Sequence, residues 1–97
     1  MFFKKTIKII NDLSKDHKIA VFSTMGCDYR DPYGNVTVFN LKENDFKVLL
    51  GSIAKTQKFE YFVIDNIFNL FDSLHEIKRS TDFLTDIARE HNITIIT

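Results

Sequence analysis

Apolar residues recur at helical spacing at Phe3, Ile7, Ile10 and Leu13, with Lys4, Lys5, Lys8, Asn11 and Lys15 on the other faces. That pattern predicts an amphipathic helix over residues 2–16. From Lys18 the period changes. In Lys18-Ile19-Ala20-Val21-Phe22-Ser23-Thr24 the apolar residues are consecutive, as in a strand buried on both faces of a parallel sheet. Met25 to Asn35 holds Gly26, Pro32 and Gly34 and reads as a loop. Val36-Thr37-Val38-Phe39 is a short second strand. Asn40 and Glu43 have the spacing of a capping box, with Asn in place of Ser or Thr. Behind them Phe46, Leu49, Leu50 and Ile53 fall at i, i+3, i+4 and i+7, predicting a helix to about Gln57. Phe59-Glu60-Tyr61-Phe62-Val63-Ile64-Asp65 is the third strand, apolar on both faces and ending in an acid. Ser73-Leu74-His75-Glu76 is a full capping box. The helix it opens turns Ile77, Leu84, Ile87 and Ala88 inward and ends near His91-Asn92. Ile93-Thr94-Ile95-Ile96-Thr97 is the last strand.

Strands alternating with helices predict an α/β fold of three layers, α/β/α, around a mostly parallel four-stranded sheet. Right-handed crossovers then fix the face on which each helix packs. The eleven residues from Met25 to Asn35 are close to the shortest parallel crossover, yet Pro32-Tyr33-Gly34 also suits a hairpin. The direction of the second strand therefore stays open at this level. There is no internal repeat and no low-complexity stretch.

Composition narrows the functional classes. The 97 residues make one domain, 1–97, and 44% hydrophobic with 27% charged residues, one Pro and three Gly exclude a disordered, collagen-like or linker-dominated chain. Ten Phe and three Tyr supply large side chains for a small core. Thirteen basic residues balance thirteen acidic ones, so no global field draws the chain to nucleic acid or anionic lipid. Lys4, Lys5, Lys8, Lys15 and Lys18 are opposed by Asp12 and Asp16 and read as a solvated helix face, so direct nucleic-acid binding is not expected. Cys27 is the only cysteine, which excludes an intrachain disulfide and fits a reducing compartment. Beside Asp28, Tyr29 and Arg30 it reads as a small, half-buried loop residue. Lys4, Lys5 and Lys8 interrupt the N-terminal apolar residues before a signal-peptide core forms, and no apolar run is long enough to span a membrane. The expected location is the cytoplasm.

Of the chemistry-bearing residues, Asp65 stands out, because open α/β sheets place ligand-binding acids at the carboxyl ends of strands. A strand-terminal Asp is also a common turn or helix cap. Gly26, Gly34 and Gly51 are isolated, with no glycine loop leading into a Lys-Ser or Lys-Thr pair, so no phosphate cradle is present. His17, His75 and His91 lie far apart at helix ends without partners at ligand spacing. His91 suits the dipole of a helix C-terminus. No Gly-x-Ser-x-Gly elbow occurs. Neither a metal, a cofactor nor a catalytic residue is expected.

Three segments in order carry a resemblance. A helix leads into Val21-Phe22-Ser23-Thr24-Met25; Phe62-Val63-Ile64-Asp65-Asn66-Ile67-Phe68 follows; and Ile87-Ala88-Arg89-Glu90-His91-Asn92 precedes Ile93-Thr94-Ile95-Ile96. This succession resembles the nucleotide-binding core of RecA-like ATPases, most closely the DnaB-type replicative helicases. There a strand ends Phe-Ser-Leu-Glu-Met, a Walker B strand runs into an Asp-Tyr-Leu-Gln type sequence, and a helix ending Leu-Ala-Lys-Glu-Leu-Asn precedes Val-Pro-Val-Ile. By this resemblance Asp65 is a remnant Walker B acid, and the strand order is second, first, third, fourth.

The departures set the functional expectation. The family's phosphate-loop strand and glycine loop would lie upstream of Met1, uncharged residues stand near Thr24 or Met25 where an acid is expected, and Asp82 stands where the last helix would carry Arg. The sensor residue after the last strand would fall beyond Thr97. A Walker B acid holds magnesium through a nucleotide whose phosphates need backbone donors, so ATP hydrolysis is not expected. By the resemblance, the strand that would flank Ile93-Thr94-Ile95-Ile96 is missing, which leaves those four residues as a partner-binding edge. The expected function is a non-catalytic RecA-like module that binds and regulates a replication or recombination ATPase, or pairs with a second copy, through that edge. The alternative for the edge is coverage by the helix at residues 2–16. The alternatives for function are a homo-oligomeric adaptor or structural domain, and a small phosphate-handling enzyme using Asp65 with Asp28, Asp31 or Arg30. Ten Lys against three Arg, with abundant Ile, Asn and Phe, suggests an AT-rich viral genome, which would place the protein in a host cytoplasm.

Overall fold

A computed structural model describes residues 4–23, 33–41, 46–65 and 73–96. The elements run α1 (Lys4–Ser14), β1 (Ile19–Ser23), β2 (Val36–Asn40), α2 (Phe46–Lys55), β3 (Tyr61–Asp65), α3 (Leu74–His91) and β4 (Thr94–Ile96). The strands form one four-stranded sheet in the order β2-β1-β3-β4. Every pairing is parallel. The direction of β2, open in the sequence, is thereby fixed: Ile19 faces Val36 and Ser23 faces Asn40 in register.

The two faces of the sheet carry separate cores, because alternate residues of a strand point to opposite faces. Ile19 and Val21 of β1 and Val63 of β3 pack with Ile10 of α1, joined by half-buried Ile7 and Leu13. On the other face Ala20, Phe22, Phe62 and Ile64 pack with Phe46, Leu50 and Ala54 of α2 and with Leu84 and Ile87 of α3. All five residues of β1 are buried, as the consecutive apolar run predicts for a strand covered on both sides. Phe22 anchors the second core, stacked on Phe39 with centroids 5.3 Å apart and edge-on to Phe62 at 5.0 Å.

The ends of the helices follow local chemistry. Ser73 is the N-cap of α3, its hydroxyl accepting the Glu76 N–H at 3.1 Å. Asn92 closes α3 in the left-handed conformation at φ 55°, and the Ile93 N–H returns to the Ala88 carbonyl at 3.0 Å. α1 stops at Ser14, a buried polar residue whose hydroxyl donates to the Asn11 carbonyl at 3.0 Å. The Asn35 amide donates to the Ser14 carbonyl at 2.8 Å, tying α1 to the start of β2. Asn40 differs from its sequence reading as a helix cap: it is the last residue of β2, and the next N–H, of Leu41, donates to the Ser23 carbonyl. The ladder thus uses the positions the capping pattern assigned to a helix start, and α2 is described only from Phe46. Glu43 lies outside the described residues. α2 ends at Lys55, and Gln57 takes a positive φ of 55° just beyond it.

Candidate functional site

Among the described residues β4 pairs only with β3, so it is an edge of the sheet. The Thr94 N–H donates to the Glu60 carbonyl at 3.1 Å. Alternation of a parallel ladder then turns the backbone groups of Thr94 and Ile96 toward β3 and those of Ile95 outward. No charged residue or proline interrupts Thr94–Ile96. Of the four residues expected to form the edge, Ile93 is a core residue, 5% exposed and with its N–H already bonded. Thr94 is exposed, while Ile95 and Ile96 are half-buried on opposite faces. Among the described residues α1 packs on the face of the sheet, Ile10 lying with Ile19, Val21 and Val63 in a cluster that half-buried Ile96 of β4 also joins; the first residues of the helix expected to shield the edge lie outside the described residues.

β2 forms the other edge of the sheet, as the expected strand order has it, though no role was expected of it. β2 is longer than β4, and its five residues are uncharged. The Ile19 N–H donates to the Asn35 carbonyl at 2.8 Å and the Leu41 N–H to the Ser23 carbonyl at 2.8 Å. The ladder therefore turns the backbone of Thr37 and Phe39 toward β1 and that of Val38 and Asn40 outward. Thr37 and Asn40 are exposed, and Val38 and Phe39 half-buried.

At the carboxyl end of the sheet, register brings Ser23 between Asn40 and Asp65. Ser23 is buried. The backbone of Asp65 thus stands at the carboxyl end of β3, one strand in from the β4 edge. The Asp65 side chain lies outside what is described, as do Asp28, Arg30 and Asp31, so the alternative that joins them has no described geometry; Thr24, Met25 and Cys27 also lie outside the described residues.

At the opposite end a cluster joins residues 43 positions apart: His17 Nδ1 meets Glu60 Oε2, and the His17 ring stands edge-on to Tyr61 at 5.0 Å. His17 is half-buried and Glu60 exposed. No spacing rule connects residues so distant, and only the β1–β3 pairing brings them together. His75 lies exposed in the first turn of α3 and His91 is its last residue. Among the described residues no group of three or more His, Cys, Asp or Glu is placed to hold a metal ion. No helix among them is long and apolar enough to cross a membrane.

Compared with known proteins, the chain matches no family model, no curated protein and no solved structure.

Proposed function

We propose that this chain is a non-catalytic RecA-like, helicase-like module that binds and regulates a replication or recombination ATPase, taking a strand of that partner onto the edge of β4. The observation that carries the reading is the order β2-β1-β3-β4, in which an uncharged strand forms the edge and Ile95 turns its N–H and C=O away from the sheet. Strand addition supplies affinity through main-chain hydrogen bonds and specificity through alternate side chains. Here the alternate positions are Ile95 on one face and Thr94 with Ile96 on the other. Gly26, Gly34 and Gly51 stand apart, so these 97 residues supply no glycine-rich phosphate cradle, and the reading assigns hydrolysis to the partner. The proposed setting is the cytoplasm, or a host cytoplasm for a viral chain.

Ile95→Pro tests this directly, because proline removes the outward N–H and is tolerated at an edge. The native chain should capture a RecA-like ATPase from its source cell and change that enzyme's rate of ATP turnover, and Ile95→Pro should do neither while keeping its circular dichroism spectrum. Capture of no such ATPase, or equal capture by the variant, would refute the proposal.

A further inference from the structure

We infer that a second copy of this chain pairs antiparallel with β2 across a two-fold axis at Val38, joining two four-stranded sheets into one. The inference is independent of the β4 reading, since β2 lies at the opposite edge.

The occupant follows from the strand itself. An isologous contact requires a segment that complements itself when reversed. Placing the axis at Val38 sets Val38 opposite Val38 of the second copy, and the outward N–H and C=O of each exchange bonds. Thr37 and Phe39 then lie opposite one another twice, as non-hydrogen-bonded pairs with Cα atoms about 4.5 Å apart. Aromatic against β-branched is a favourable cross-strand combination. The two members also match in exposure, for Thr37 is open to solvent and Phe39 is only half-covered. Phe62, Phe22 and Phe39 run as an aromatic row across β3, β1 and β2, ending at this edge, with Phe59 against Phe39 at 6.1 Å. In the pair, Phe39 gains a cover that the described residues of its own chain do not provide.

Charge does not oppose the approach of like to like. The strand Val36–Asn40 carries no ionisable residue and the chain has zero formal net charge. Natural edges avoid self-pairing by charge, proline, a bulge, shortness or a covering segment; neither charge, proline nor a bulge interrupts β2, which pairs with β1 in unbroken register over the five residues from Val36 to Asn40. β4 makes a poorer self-pairing edge, since within its three residues only Ile95 turns outward.

Sedimentation equilibrium of the full chain, with circular dichroism as the control for folding, tests the pairing. The native chain should show twice the 11.4 kDa chain mass. Val38→Pro removes an outward N–H that the β1 ladder does not use, and Thr37→Lys places a charge on an exposed position of the edge. Each should weaken association by about tenfold or more, whereas Ile95→Pro should leave the dimer intact. A native chain that stays at single-chain mass, a dimer that survives both β2 substitutions, or a dimer lost in Ile95→Pro would each overturn the assignment. Monomeric Thr37→Lys remains a fair probe of capture through β4, so the two proposals fail separately.

Discussion

Neighbouring residues of β4 should respond to proline in opposite ways. The Thr94 N–H bonds the Glu60 carbonyl, so the ladder passes next through Ile96, whose N–H reaches the Phe62 carbonyl. Phe62 is 0% exposed. Ile96→Pro removes that donor and strands a buried carbonyl, at about 1–3 kcal/mol for the unsatisfied group, and its ring crowds β3 besides. Ile95→Pro removes a donor that faces away from β3 and trims a half-buried side chain, at about 1 kcal/mol of apolar burial. The difference, about 1–3 kcal/mol, corresponds to a urea midpoint separation of about 1 M at a slope typical of small domains. Urea unfolding followed by far-ultraviolet circular dichroism suits a chain with no Trp and three Tyr. Ile95→Pro should unfold at the higher urea concentration. Equal midpoints, or a lower one for Ile95→Pro, would show that the outward and inward positions are exchanged, and the proposed partner edge would fall with them.

Other substitutions probe the two cores and the chain turns. Phe22→Ala should destabilise by about 3–5 kcal/mol, since the ring is 0% exposed and touches Phe39 and Phe62; a loss below 1 kcal/mol in denaturant titration would contradict its place in the core. Gly51→Ala should stabilise by about 0.5–1 kcal/mol, because a Cβ built within α2 meets nothing within 4 Å. Gly34→Ala has equal space, but its φ of +74° should make that change destabilising, so thermal melts of the two variants should move in opposite directions. Ser73→Ala removes the acceptor of the Glu76 N–H and should cost about 1 kcal/mol, read as a lower melting temperature.

The order of elements was legible because each carried its own period. The consecutive apolar residues of β1 separated it from the helical spacing of α1, and the capping box at Ser73 located the start of α3 to the residue. The boundary between β2 and α2 was misread for a physical reason. Asn serves as well at the end of a strand as at a helix cap, and only the Leu41 N–H bond to Ser23, a contact across the sheet, decides between them. Ser14 and Ser80 were missed as buried residues for a similar reason, since polarity argues for exposure until a local acceptor such as the Asn11 carbonyl is seen. Of the expected edge, the three residues Thr94 to Ile96 form β4, while Ile93 belongs to the core beneath α3. The place of β2 at the other edge follows from the strand order that the resemblance implied, whereas the pairing of His17 with Glu60 had no sequence signal, because it arises from strand register.

A sheet with two uncharged edges poses a problem of closure. Were β2 of one copy to pair with β4 of the next, the contact would be heterologous and each added copy would present a fresh edge, the geometry of an open filament. Pairing β2 with β2 is isologous and consumes that edge in a single step. It leaves β4 exposed at both ends of an eight-stranded sheet, too short to propagate by itself, with three residues against the five of β2. On the two proposals, strand length divides the labour between the edges: the five residues of β2 would close the dimer, and the three of β4 would need a partner that makes further contacts elsewhere. Leu74, at the start of α3, is 83% exposed. Two and three turns later on the same helix, Thr81 and Thr85 are exposed and donate their hydroxyls to the carbonyls of Ile77 and Thr81, so those hydroxyls are already satisfied.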